Sequence, residues 1–223
     1  MKQLLIRNIK LRYWTLILYI ALIGFYPIYS FLMKPNPLMN SVMAIPLGLI
    51  LMIISILDAG HLFRFHRRLG GNRANLFFGS LPVSKKDILN ANYLTCIFFT
   101  LFGAIVITLY GYESDSIRAN AIYFSTTYAY IVANFLSIPI AFRKSTEYKT
   151  EGVSYIAYII LIMFVLPFLL SVTLILINYI FLNHSQIPQF YSYFLNYGFV
   201  LLSIIVLIIN YVLQLNKIKK HTL

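Results

Sequence analysis

The sequence predicts an all-α integral membrane protein with six transmembrane helices, and three observations carry that expectation. Hydrophobic residues make up 60% of the chain and charged residues only 11%, with a mean hydropathy of +0.80. A soluble domain carries about 25% charged residues and could not hide this much apolar surface. Six apolar runs follow one another, each near the length of about 20 residues that a helix needs to cross the hydrocarbon core. The basic residues fall in alternate connections between those runs. The whole chain, 1–223, reads as one membrane domain.

Residues 1–12, MKQLLIRNIKLR, suit an N-terminal interfacial helix, although Arg12 falls near the Met1, Leu5 and Ile9 face. The first span covers 13–33. Its basic flank resembles a signal peptide, but the run is too long for a signal core and no small-residue cleavage site follows, so a retained helix is expected. The second span covers 38–63, the third 93–112, the fourth 120–142, the fifth 154–182 and the sixth 193–215. Pro27, Pro46, Pro139 and Pro167 lie inside these runs, where neighbouring groups satisfy the freed carbonyls. With no water in the core, a helical bundle is the architecture that pairs every backbone group.

Sixteen of the 18 Lys and Arg residues lie in the N-terminal flank (Lys2, Arg7, Lys10, Arg12), in the connection after the second span (Arg64, Arg67, Arg68, Arg73, Lys85, Lys86), in the connection after the fourth (Arg143, Lys144, Lys149) and in the tail (Lys217, Lys219, Lys220). Lys34 and Arg118 are the two on the other side. Short loops rich in Lys and Arg stay cytoplasmic, so both ends are expected on the cytoplasmic side of the plasma membrane. The net charge of +12 and the pI near 9.8 are thereby a topological signal. They need no nucleic acid, and they suit anionic lipid headgroups. The single cysteine, Cys96, sits in an apolar run and reads as a packing residue.

Residues 64–92 are the most informative stretch. Gly70-Gly71 breaks any helix leaving the membrane. Asn72 to Phe78 could then form two turns on the cytoplasmic face. Leu81-Pro82 is extended, because the residue before proline avoids the α region. Ser84 and Asp87 stand at the N-cap and third position of a new helix, a capping box, with Val83 and Ile88 placed for a hydrophobic staple. This pattern fits either an amphipathic loop on the headgroups or a docking element.

Asn72-Arg73, Ser80-Leu81-Pro82-Val83-Ser84-Lys85, Asp87-Ile88 and Tyr93-Leu94 resemble the permease subunits of bacterial type-2 ABC exporters, which carry a similar Ser-Leu-Pro-Val-Ser-basic motif between the second and third of six helices. The chain departs from that pattern at Leu69-Gly70-Gly71, where family members often carry acidic residues. Within the family, permeases of staphylococcal exporters of phenol-soluble modulins are similar, which implies amphipathic peptides as cargo. The resemblance further implies that the short helix enters a groove of a separate ATPase subunit, through Asn72, Arg73, Leu76, Phe77, Phe78, Leu81, Pro82, Ser84 and Lys85. It implies a working unit of two permeases and two ATPases. The chain has no GxxxxGK[ST] phosphate loop, so ATP and magnesium are expected on the partner and the chain itself is not expected to be an enzyme.

Three further patterns stand out. Ala121, Ser125, Ala129, Ala133, Ser137 and Ala141 place a small residue at every fourth position, a ridge for close helix packing within the subunit or between subunits. Asp58 is an acid at membrane depth that needs a partner, and His61 and Arg64 share its helical face. His66 lies five residues beyond His61 and points elsewhere, so no metal site is expected. Asn134, Asn178 and Asn210 are amides that either bond between helices or line a path. A membrane enzyme is disfavoured, because no HExxH and no carboxylate cluster is present. A non-catalytic immunity or sensor subunit is the remaining alternative.

Overall fold

The computed structural model describes residues 1–33, 35–80, 82–110, 126–181 and 189–220. Lys34, Leu81, Tyr112, Arg118, Ala121 and Ser125 lie outside them. Ten α-helices are described: α1 Lys2–Leu11, α2 Tyr13–Ile28, α3 Pro37–Asp58, α4 His61–Arg68, α5 Ala74–Gly79, α6 Lys85–Leu109, α7 Thr126–Ala141, α8 Tyr155–Ile160, α9 Leu166–Phe181 and α10 Gln189–Lys220. A π-helical turn, Tyr29–Met33, continues α2, and another, Leu161–Val165, joins α8 to α9.

Five stretches are long and apolar enough to cross a membrane: Tyr13–Leu32, Leu38–Asp58, Lys85–Leu109, Tyr155–Ile180 and Tyr193–Lys220. The chain is therefore a multi-pass membrane protein. The fourth expected span is represented by the apolar helix α7, of 16 residues. That length rises about 24 Å, short of a core of about 30 Å, and residues 111–125 before it are outside the described set.

The second span ends five residues earlier than the sequence suggests. Gly60 adopts φ +66 after an extended Ala59, which stops α3 at Asp58. Only glycine reaches that left-handed backbone without a steric penalty. The last helix is longer than expected, and it carries Lys217, Lys219 and Lys220 in its final turn, where positive charge complements the helix dipole.

The bundle is centred on α7, which packs most extensively against α10 and α6. One apolar core joins α4, α6, α7, α8 and α10 around Phe63, Cys96, Ala133, Phe142 and Tyr158. A second joins α2, α3, α6 and α7 around Tyr19, Leu51, Ile54, Ile107 and Tyr130. The ridge residues Ala129, Ala133, Ser137 and Ala141 are all buried within this one chain. The Ala133 carbonyl also accepts a hydrogen bond from the Tyr158 hydroxyl. Ala133→Leu inserts three carbons into a filled space and should destabilise the fold by about 1–3 kcal/mol. The thermal midpoint of the detergent-purified protein measures this, and an unchanged midpoint would contradict the packing.

Candidate functional site

The stretch from α4 to the start of α6 is built by local punctuation. Gly70 (φ +107) and Gly71 (φ +57) turn the chain after α4. A 3-10 turn, Gly71–Arg73, holds Asn72 and leads into α5, which contains Leu76, Phe77 and Phe78. Ser84 caps α6: its Oγ accepts the Asp87 N–H at 3.1 Å. Arg73, Pro82, Ser84 and Lys85 are exposed.

Leu76 is 68% exposed on α5, whereas Phe78 is buried. Phe78 packs with Leu4 of α1 and Ile88 and Ala91 of α6, with Val83 against the same cluster. The Arg7 guanidinium covers the Phe78 ring at 5.1 Å, and burial pulls that guanidinium's pKa below its ordinary value. Phe78, one of the expected ATPase contacts, is thus covered in this structure by the chain itself. Its ring fastens the loop to the chain's own N-terminal helix. An open cleft of about 580 Å³ remains between α1 and the Pro82–Ser84 corner, lined by Lys2, Arg7, Val83 and Asp87 among others.

The N-terminal helix is itself docked. Asn8 is fully buried, and its amide donates to Asn92 Oδ1 and Thr95 Oγ1 of α6, both at 3.1 Å. One turn on, Arg12 occupies the α1–α2 junction and is 2% exposed. Its guanidinium forms an ion pair with Asp58, with Nε donating to Oδ1 at 3.2 Å and Nη2 to Oδ2. Asp58 Oδ2 also accepts the hydroxyls of Tyr19 at 2.9 Å and Tyr130 at 2.7 Å. Phe99 of α6 lies under the guanidinium at 4.6 Å. The expected partners, His61 and Arg64, are not the ones Asp58 uses. Arg64 instead donates to the Leu57 carbonyl at 3.1 Å, which caps the end of α3.

Gly103 makes this knot possible. A Cβ there would clash with the Tyr130 hydroxyl and meet the Tyr19 hydroxyl at 2.7 Å. Residues from α2, α3, α6, α7 and the α1–α2 junction thereby converge on one carboxylate. The sequence flagged Asp58 but not Arg12, Tyr19, Tyr130 or Gly103.

The buried ion pair thus lies three residues before α4, the helix that leads into the glycine-punctuated loop. Residues 3–219 match the family of ABC-2 family transporter proteins.

The chain belongs to the ABC-2 transporter family.

No curated protein and no solved structure matches it significantly. As an ABC-2 family member the chain is a permease component of a transporter, and the family associates with ABC ATPase subunits.

The remaining polar residues of this permease divide by role. Asn210 bridges helices, its amide donating to the Tyr93 hydroxyl at 3.1 Å. Asn134 bonds within α7, to the Tyr130 carbonyl at 3.1 Å. Asn178 is buried on α9. His61 is buried with its ring edge-on to Phe65. Cys96 is fully buried, with Sγ 3.8 Å from the Asn134 carbonyl. His66 meets Phe142, and burial, helped by nearby Lys149, keeps its imidazole below the ordinary pKa. Among the described residues no three His, Cys, Asp or Glu side chains converge as a metal site.

Removing one member of a buried ion pair strands the other charge, at a cost of about 3–5 kcal/mol, whereas an apolar replacement of both is often tolerated. Asp58→Ala should therefore destabilise the permease strongly, and Arg12→Met with Asp58→Leu should recover most of the loss. Thermal midpoints of the single and double variants decide it. A double-variant loss equal to the sum of the two single losses would show that the charges are not a unit.

Proposed function

We propose that this permease is the membrane-spanning subunit of an ATP-driven exporter. Six helices cross the plasma membrane with both chain ends in the cytoplasm, and residues 64–92 receive a separate ATPase. Two permease subunits, identical or related, work with two ATPases that hold the ATP and magnesium. The cargo class favoured by the resemblance is an amphipathic peptide.

The observation that supports docking is the division of labour on α5. Phe78 ties the short helix down, and Leu76 on the same helix faces out. An outward apolar side chain on a fastened helix is pre-organised for a pocket, which reduces the entropy lost on association. Movement imposed on α5 then has two rigid outlets. One runs through the Pro82–Ser84 corner into α6. The other runs through α4 and Gly60 to Asp58, and from there to α2 and α7. Gly60 lets α4 turn relative to α3, while the Arg12–Asp58 pair keeps the N-terminal helix in step.

Leu76→Glu combined with Phe77→Ala should release the ATPase, because apolar and aromatic anchors commonly dominate an interface. Pro82→Ala should keep the ATPase bound and weaken export. Co-purification, ATP hydrolysis and export from one preparation test both statements. Normal ATPase binding and export in the double variant would remove the loop as the coupling element.

Orientation is tested separately. In a Cys96→Ser background, single cysteines replacing Lys34 or Arg118 should react in intact cells with a membrane-impermeant thiol reagent. Cysteines replacing Arg68 or Lys219 should react only after lysis. The reverse pattern would invert the topology.

A further inference from the structure

A second cavity opens at the basic end of the bundle, and it meets the coupling stretch only at Lys85 and Leu89 of α6. It has a volume of about 180 Å³ and lies between the start of α6, the 143–152 connection and the end of α10. Lys85, Lys144 and Lys217 line it from these three elements, together with Ser145, Thr146, Glu147 and Gln214. Leu89 and Ile218 supply apolar wall. Three lysines and one glutamate thus share the lining. None of the three lysines makes an ion pair within 4 Å among the described residues. Glu147 is half-buried, and desolvation raises its carboxyl pKa while Lys85 opposes the rise.

Gln214 adds a second kind of demand. It is 2% exposed, and its Nε2 donates to the Phe142 carbonyl at 2.7 Å. Its Oε1 is buried without a hydrogen-bond partner. A buried acceptor left unpaired is costly. Gln214, with its unpaired Oε1, and Glu147 stand in the cavity's wall, so the lining combines surplus positive charge with residues that call for hydrogen-bond donors. A simple anion answers the first demand only. A phosphodiester carrying hydroxyl groups answers both. The apolar wall of Leu89 and Ile218 suits a ligand that continues into acyl chain, and basic pockets between membrane helices are known to hold anionic headgroups.

We propose that this cavity binds the headgroup of a hydroxylated anionic phospholipid, of the phosphatidylglycerol type, from the leaflet at the basic end of the bundle. The ammonium groups of Lys85, Lys144 and Lys217 hold the phosphate, and headgroup hydroxyls donate to Gln214 and Glu147. The lipid clamps the α7–α8 connection to the ends of α6 and α10. The proposal rests on the membrane-spanning reading and not on the docking of an ATPase, so the two fail separately.

The test uses full-length permease in detergent, titrated with phosphatidylglycerol, and counts bound lipid by native mass spectrometry. Lys144 and Lys217 are exposed, so replacing them spares the core. Lys144→Gln with Lys217→Gln should raise the half-saturating lipid concentration about thirtyfold, from the energy of a lysine–headgroup contact taken twice. Lys219→Gln with Lys220→Gln removes the same charge outside the cavity and should change it by less than about twofold. Gln214→Leu should erase part of the preference for phosphatidylglycerol over phosphatidic acid. Soluble glycerol 3-phosphate at matching concentrations should not displace the lipid. Equal weakening in the two lysine pairs would reduce the effect to diffuse surface charge and overturn the site. Displacement by glycerol 3-phosphate would reassign the cavity to a free phosphate. Loss of a co-purifying ATPase with unchanged lipid binding would reassign it to a protein partner.

Discussion

The buried pair of Arg12 and Asp58 is the interaction on which this bundle turns. Neither charge is tolerable alone at that depth, since an unpaired ion in a low-dielectric interior carries a desolvation cost of several kcal/mol. The pair therefore dictates geometry. Arg12 must sit where α1 meets α2, Asp58 must end α3, and the second oxygen of the carboxylate must find further donors. Tyr19 and Tyr130 supply them. α6 must then come close enough for two hydroxyls to rest against its backbone, and Gly103 permits that approach. Apolar packing fills the space between helices but is nearly indifferent to their rotation, because lipid competes as well as leucine does. The polar knot is what fixes register.

The same constraint links the membrane to its basic surface. α4 begins three residues after Asp58, and Arg68 at its far end donates to the Leu11 carbonyl at 2.6 Å. The helix is thus pinned at both ends to the segment around Arg12. Tyr155 closes the other side by donating to the Ile56 carbonyl. The loop that carries α5 grows out of a platform braced to several spans.

Features set by neighbours along the chain were legible in the sequence. The Ser84 cap, the glycine break before the short helix and the helical runs all follow from residues within a few positions of one another. Gly60 was as visible as Gly70, but it lies within a continuous apolar stretch, where a single glycine is easily absorbed into a helix. The fourth helix was legible from its small residues, all four described members of which are buried. Asp58 announced that it needed a partner. The local rule favoured His61 and Arg64, three and six residues away, whereas the partner lies 46 residues back. The clue was on the other member: Arg12 spoiled an otherwise orderly amphipathic face. Tyr19 and Tyr130 gave no signal among 18 tyrosines, because a membrane protein uses tyrosine freely at its interfaces. Phe78 looked like any exposed aromatic until α1 was seen to lie over it.

The docking of the first helix also sets an order of events during synthesis. As α1 and α2 leave the ribosome, Arg12 has no carboxylate and Asn8 has no amide or hydroxyl to receive it. Asp58 arrives with the next span, so the first two spans are matched as a pair. Asn92 and Thr95 arrive later, on α6, and Tyr130 later still, on α7. Until α6 is in place the N-terminal helix is tied mainly at its far end, through Arg12 and the Leu11 carbonyl. The segment made first gains its full set of contacts only when the middle of the chain has been inserted.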